Sequence, residues 1–133
     1  MEPSWLAEWL AANVSFQLRL FGQIVRSSTF KLRLETVRDD GCTRFHTDAV
    51  RYRLLCTYRG PGTEWIDPKA LSDHSHGRPL DPARIRRLER GAVAFMRGAK
   101  GATPERPALV HRSPKIAGTG SIRLLLVIDA DEN

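Results

Sequence analysis

The sequence predicts a small, mainly β (α+β) domain of sandwich or barrel type with helix at its N-terminal end. Two observations carry this: the apolar period changes from helical spacing to strict alternation near Phe30, and several short β segments follow, punctuated by Gly- and Pro-rich turns. A third is the size and balance of the chain. Its 133 residues, 41% hydrophobic and 27% charged, suffice for one core and leave little for appended modules.

In the N-terminal part, Ser4 is suited to an N-cap, and Trp5, Leu6, Trp9 and Leu10 line one face of a helix over residues 4–12. Phe16, Leu20, Phe21, Ile24 and Val25 continue at helical spacing. Phe16, Leu18 and Leu20 also fit alternation, and helix is the preferred reading. Residues 1–28 are therefore expected to form a helical segment packed on a β domain of residues 29–133. From Phe30, apolar Leu32 and Leu34 alternate with Lys31, Arg33 and Glu35, as in a half-buried strand. Asp39-Asp40-Gly41 marks a turn, and a second β segment runs from about Val50 to Tyr58, stopping at Arg59-Gly60-Pro61-Gly62. Residues 67–80 read as a loop. Asp81-Pro82 and Gly91 bracket an expected short helix over 82–90, with Ile85 and Leu88 inward. Three further β segments are expected near 92–97, 108–112 and 121–129.

The longest purely apolar run is Leu124 to Ile128, far short of the ~18 residues of a membrane span. The start of the chain carries no basic region ahead of an apolar one, so no secretory signal is expected. Cys42 and Cys56 lack a CxxC spacing and read as reduced thiols, which suits a cytoplasmic protein without membrane partners. The net charge is +6, densest at Arg84, Arg86, Arg87 and Arg90. A solvated basic face is the preferred reading. Nucleic acid remains an open but unfavoured partner, since no aromatic interleaving accompanies the charge.

The chemistry concentrates at His46-Thr47-Asp48. On an extended segment, residues i and i+2 project from one face, so an imidazole and a carboxylate can reach one ion. His111, at the end of Ala108-Leu109-Val110-His111, offers a third ligand. Two His and one carboxylate on one face of a metal leave positions open, as in non-haem iron oxygenases. Arg123 opens the apolar strand Arg123 to Ile128 and shares a face with Leu125 and Val127. An inward Arg needs an anionic partner, which a carboxylate co-substrate held by paired hydrogen bonds would supply. An exposed Arg opening the strand is the alternative.

The order HxD, strand, Gly-rich turn, Gly-initiated strand (Gly91-Ala92-Val93-Ala94-Phe95), His, then Gly and Arg entering an apolar strand resembles the iron- and 2-oxoglutarate-dependent oxygenases, prolyl hydroxylases among them. Closer still is the resemblance to a bacterial family of uncharacterised proteins, domain-of-unknown-function family 1826. The segments Cys42–Asp48, Leu54–Trp65 and Val110–Pro114 carry it, within about residues 30–129. The oxygenase resemblance implies a double-stranded β-helix, or jelly-roll, core with one or two N-terminal helices outside it. It further implies Fe(II) held by His46, Asp48 and His111, and 2-oxoglutarate anchored by Arg123. An Fe(II)- and 2-oxoglutarate-dependent oxygenase of unknown substrate is the expected function. A non-catalytic zinc module, with Cys42 closing a tetrahedral Zn(II) site, is the alternative, and a basic scaffold for an anionic partner the second.

Tyr58, Glu64, Trp65 and Ser113 are candidates for a substrate pocket, Tyr52 more remotely so, although aromatic residues on such strands more often fill the core. His74 and His76, in the polar stretch before Asp81, could approach the site but read as solvated. No Ser-His-Asp elbow and no phosphate-binding Gly loop is present.

Overall fold

The computed structural model describes residues 4–75 and 77–131. Helix α1 (Ser4–Val25) is followed by strands β1 (Lys31–Val37), β2 (Tyr52–Arg59) and β3 (Glu64–Ile66) and by helix α2 (Pro68–Ser75). A 3-10 turn (Pro82–Arg84) leads into β4 (Ile85–Arg87), and β5 (Val93–Arg97), β6 (Val110–Arg112) and β7 (Arg123–Ala130) complete two antiparallel sheets. The larger sheet has the order β1-β7-β2-β5 and the smaller β4-β3-β6. The chain is thus mainly β with an N-terminal helix, as expected.

The pairings are nested. β1 pairs with β7, His46 bridges to His111 of β6, β2 pairs with β5, and β3 pairs with β4. The β2–β7 and β3–β6 ladders join these pairs into the two sheets.

Alternation along β2 and β7 gives the larger sheet two apolar faces. Leu54, Cys56, Leu126 and Ile128 face α1, where Phe21 completes a buried cluster. Leu55, Met96 and Val127 face the other way, packed with Leu109 just ahead of β6. The two expected N-terminal helical stretches are one continuous 22-residue helix, since no residue between them breaks the i→i−4 ladder. Its buried stripe runs through Val14, Leu18, Phe21 and Val25. Trp5 and Trp9, on the apolar face read from the sequence, are 65% and 52% exposed. They lie on the far side of the helix from that stripe, and Trp9 makes a T-shaped contact with the Tyr58 ring.

Three further expectations are corrected. β1 forms where alternation put it, but Leu32 and Leu34 are exposed, because the buried cluster under α1 is built on β7 and β2 and β1 lies outside it. The stretch 67–80 is not all loop: Asp67 Oδ1 accepts the Ala70 amide at 2.8 Å, capping α2, and Ala70 is buried. The stretch 82–90 is not a helix. Asp81 does cap Ala83, but one 3-10 turn later Ile85–Arg87 pairs with β3. No helix among the described residues is long and apolar enough to cross a membrane.

Candidate metal centre

His46 and His111 are direct cross-strand partners, joined by two backbone hydrogen bonds of 2.9 and 3.0 Å. Such partners project to the same face, and here the ring centroids stand 4.6 Å apart. Asp48, two residues beyond His46, reaches the same point, and one ligand atom from each residue lies within 4.8 Å of the others. His46 is half-buried while Asp48 and His111 are buried. The expected trio is therefore brought together.

The hydrogen bonds behind the rings decide what the rings can do. Nδ1 of His46 lies 2.8 Å from the Arg44 carbonyl, and Nδ1 of His111 lies 3.1 Å from the Leu109 carbonyl. A carbonyl only accepts, so each Nδ1 carries the proton and donates it. In a neutral ring of that tautomer Nε2 is the nitrogen that carries the bare lone pair. Both Nε2 atoms point at one carboxylate: His46 Nε2 is 3.2 Å from Asp48 Oδ1, and His111 Nε2 is 3.1 Å from Asp48 Oδ2. Two such lone pairs facing an anion repel unless a proton or a metal cation lies between them. Carbonyls fixing the outer nitrogen of metal-bound His is the usual supporting arrangement of metal sites.

Asp48 is held from behind by a pair that the sequence did not bring to attention. Arg53 Nη1 lies 2.7 Å from Asp48 Oδ2, while its Nε and Nη2 donate to the two oxygens of Asp129 at 2.5 and 2.9 Å. Oδ2 is buried, yet neither its Arg53 nor its His111 contact is an aligned hydrogen bond, so it keeps unused capacity to bind a cation. Burial raises the Asp48 pKa, but the His111 contact and the neighbouring Arg53 charge are among the causes that outweigh it and hold the carboxyl at about 2. Asp48 is therefore ionised throughout the neutral and mildly acidic range, as a metal ligand must be. Gly98 keeps this corner closed: a Cβ there would overlap the Val50 carbonyl and come within 2.9 Å of the Asp48 carbonyl.

Arg123 is buried at 2% exposure. Its Nε donates to the Pro61 carbonyl at 2.9 Å and its Nη2 to the hydroxyls of Thr63 and Thr57 at 3.2 and 3.4 Å. All three acceptors are neutral, and Arg123 forms no ion pair among the described residues. Burial pulls its pKa down from the usual arginine range. It lies on the same sheet face as Arg53 and Asp129, with Leu125 and Val127 between.

The other candidates separate. Trp65 is the direct partner of His111 on β3 and walls the cluster, with Arg86 stacked over its ring. Glu64 is a brace: Arg87 and Arg112, its partners on the two flanking strands, contact its carboxylate at 2.6 and 2.7 Å. Burial raises the Glu64 pKa, but these two hydrogen bonds prevail and hold it below the ordinary glutamate range. A depressed carboxyl stabilises the fold above its unfolded pKa and loses that contribution as pH falls through the folded one. Glu64→Gln is thus expected to cost about 1 kcal/mol near neutrality, with the gap to the parent closing in acid, as measured by thermal melts across pH.

Tyr58 is not brought to the centre: it packs under α1, where its hydroxyl donates to Asn13 Oδ1 at 2.6 Å and burial pushes its pKa up to about 12. Ser113 sits against Gly41, its amide bonded to the Cys42 carbonyl. Cys42 does not join the cluster; it is an exposed free thiol whose Sγ donates to the Arg44 carbonyl at 3.7 Å. Tyr52 lies between the guanidinium groups of Arg51 and Arg97, away from the trio. The side chain of His74, and His76 altogether, lie outside the described residues. In the basic group, Arg84 pairs with Asp67 and Asp73 and Arg87 with Glu64, so part of that charge is internally neutralised.

Fold and site together define a mainly β protein with a His-Asp-His cluster able to hold a metal ion. The chain belongs to the family described as protein of unknown function (DUF1826), whose model matches residues 4–129. No curated protein and no solved structure matches it.

Proposed function

We propose that this protein is an Fe(II)- and 2-oxoglutarate-dependent oxygenase built on a double-stranded β-helix. The observation that carries the reading is the pair of imidazoles whose Nδ1 atoms are tied to carbonyls while both Nε2 atoms face one ionised carboxylate. The nested strand pairings support that fold, with the His46 bridge counted as a short strand of the smaller sheet. Three protein ligands leave coordination positions open, and Cys42, which would close a tetrahedral zinc site, is bonded elsewhere.

In this reading His46, Asp48 and His111 hold the iron. Arg53 keeps the Asp48 carboxylate turned toward it and, itself neutralised by Asp129, stays in place. Arg123 binds the distal carboxylate of 2-oxoglutarate, the anion its buried charge lacks, with the Thr57 and Thr63 hydroxyls beside it. Leu55, Leu125 and Val127 exclude water from the space between. The bound metal supplies the activation of dioxygen that is coupled to oxidative decarboxylation of 2-oxoglutarate.

The test is release of CO2 from 1-carbon-labelled 2-oxoglutarate by protein reconstituted with Fe(II), without added substrate. Slow turnover, lost in His111→Ala, is expected. Absence of turnover in protein shown to carry one equivalent of iron and to bind 2-oxoglutarate would overturn the oxygenase reading.

A further inference from the structure

One concavity is lined by residues outside the His-Asp-His trio. It has a volume of about 910 Å³ and opens between the C-terminal half of α1, helix α2, strand β5 and the segment leading into β6. None of His46, Asp48 and His111 lines it. Its size is that of a site for one small molecule.

Its lining is of two kinds. Ile24, Leu71, Phe95 and Leu109 are among its apolar walls, and Ile24 and Phe95 stay 53% and 43% exposed beside it. Four arginines, Arg26, Arg51, Arg97 and Arg106, also line it, and among the described residues no acidic one does. Arg51 and Arg97 flank the Tyr52 ring, 5.6 and 5.1 Å from its centre. The hydrogen bonds of Arg97 go to the Tyr52 hydroxyl and the Gly101 carbonyl, both neutral. Arg26, Arg97 and Arg106 form no ion pair among the described residues. Apolar surface beside the guanidinium groups of Arg26, Arg97 and Arg106 complements an apolar body with an anionic head.

We propose that this cavity binds a small amphipathic anion, an acyl or aromatic body carrying one carboxylate or phosphate head. The apolar body lies against Ile24, Phe95, Leu71 and Leu109. The head meets Arg26, Arg97 and Arg106, whose forked donors suit both oxyanions. The site is independent of the metal reading, and it persists if the His-Asp-His cluster does something else.

The test is calorimetric titration of the full chain in EDTA, which removes any carboxylate–metal contact, with octanoate, octyl phosphate, octanol and inorganic phosphate. Octanoate or octyl phosphate should bind with one-to-one stoichiometry at least about tenfold more tightly than octanol, with inorganic phosphate weaker still. The tighter of the two heads identifies the natural one. The double variant Arg26→Glu, Arg106→Glu and the single variant Ile24→Glu, all at exposed positions, should each weaken binding about tenfold or more while leaving the melting temperature near the parent value. Equal affinity for octanol and octanoate, affinity unmoved by charge reversal, or no saturable binding of either anion would each overturn the proposal.

Discussion

Arg53→Leu is expected to lower stability by about 3–5 kcal/mol, because it leaves two buried carboxylates without their shared cation. Asp48 and Asp129 are 9% and 6% exposed, and the Arg53 guanidinium contacts both. The nearest remaining charge on Asp129 is Arg33 Nη1 at 3.7 Å, itself on a half-exposed side chain. Two consequences set this variant apart from ordinary loss of packing. The double variant Arg53→Leu, Asp129→Leu should recover part of the stability, since an apolar pair of similar shape needs no counterion. A divalent metal should also raise the melting temperature of Arg53→Leu more than that of the parent, because it restores positive charge at Asp48. Thermal melts with Mn(II) or EDTA read both effects. A melting temperature within a degree or two of the parent would mean that the pair carries little.

Arg123→Met is expected to leave metal affinity unchanged and to weaken 2-oxoglutarate binding by about thirtyfold to a thousandfold or more, the cost of removing one side of a buried, hydrogen-bonded charge pair. Methionine approximates the volume of the side chain without its charge. Its three present acceptors, Pro61 O, Thr57 Oγ1 and Thr63 Oγ1, are neutral, so the fold is not asked to bury a stranded anion. Arg123→Lys keeps the charge but not the fork and should fall between the two. Calorimetric titration of Mn(II)-loaded protein with 2-oxoglutarate separates these outcomes. Equal affinity in parent and Arg123→Met would remove Arg123 from the site.

Much of the architecture was legible because alternation and turn chemistry are local. Phe30 onward, Val50 to Tyr58 and the final apolar run all became strands near their expected bounds. The two Asp-Pro pairs show where local signals stop. Asp81-Pro82 carries the cap and the early proline of a helix start, yet Ile85–Arg87 joins β3, where Arg87 finds the Glu64 carboxylate. Asp67-Pro68 carries the same signal and does open a helix, stabilised by burial of Ala70. A cap shows where a helix could begin, and long-range pairing decides whether it continues. Strands as short as β3 and β4 owe their existence to such partners.

The trio itself was legible from the HxD spacing and a His ending a distant apolar segment. Its support was not. Arg53 and Asp129 are seventy-six residues apart, and only their pairing in the β2–β7 ladder makes them one unit. A local trace did exist: each is a charged residue within a largely apolar strand, on the face that alternation turns inward. Tyr58 misled for a related reason, since its strand has two buried faces and the ring went to the helix side. Cys42 lies near His46 in sequence, but its thiol turns to the Arg44 carbonyl.

The central claim is that His46, Asp48 and His111 form one metal site. The most direct measurement is anaerobic titration of EDTA-stripped protein with Fe(II), followed by calorimetry and by metal analysis after gel filtration. One equivalent should bind to the parent and to Cys42→Ala, and none should be retained by His46→Ala, His111→Ala or Asp48→Asn variants that still melt cooperatively. Retention of a full equivalent by those three variants, or no retention by the parent, would contradict it.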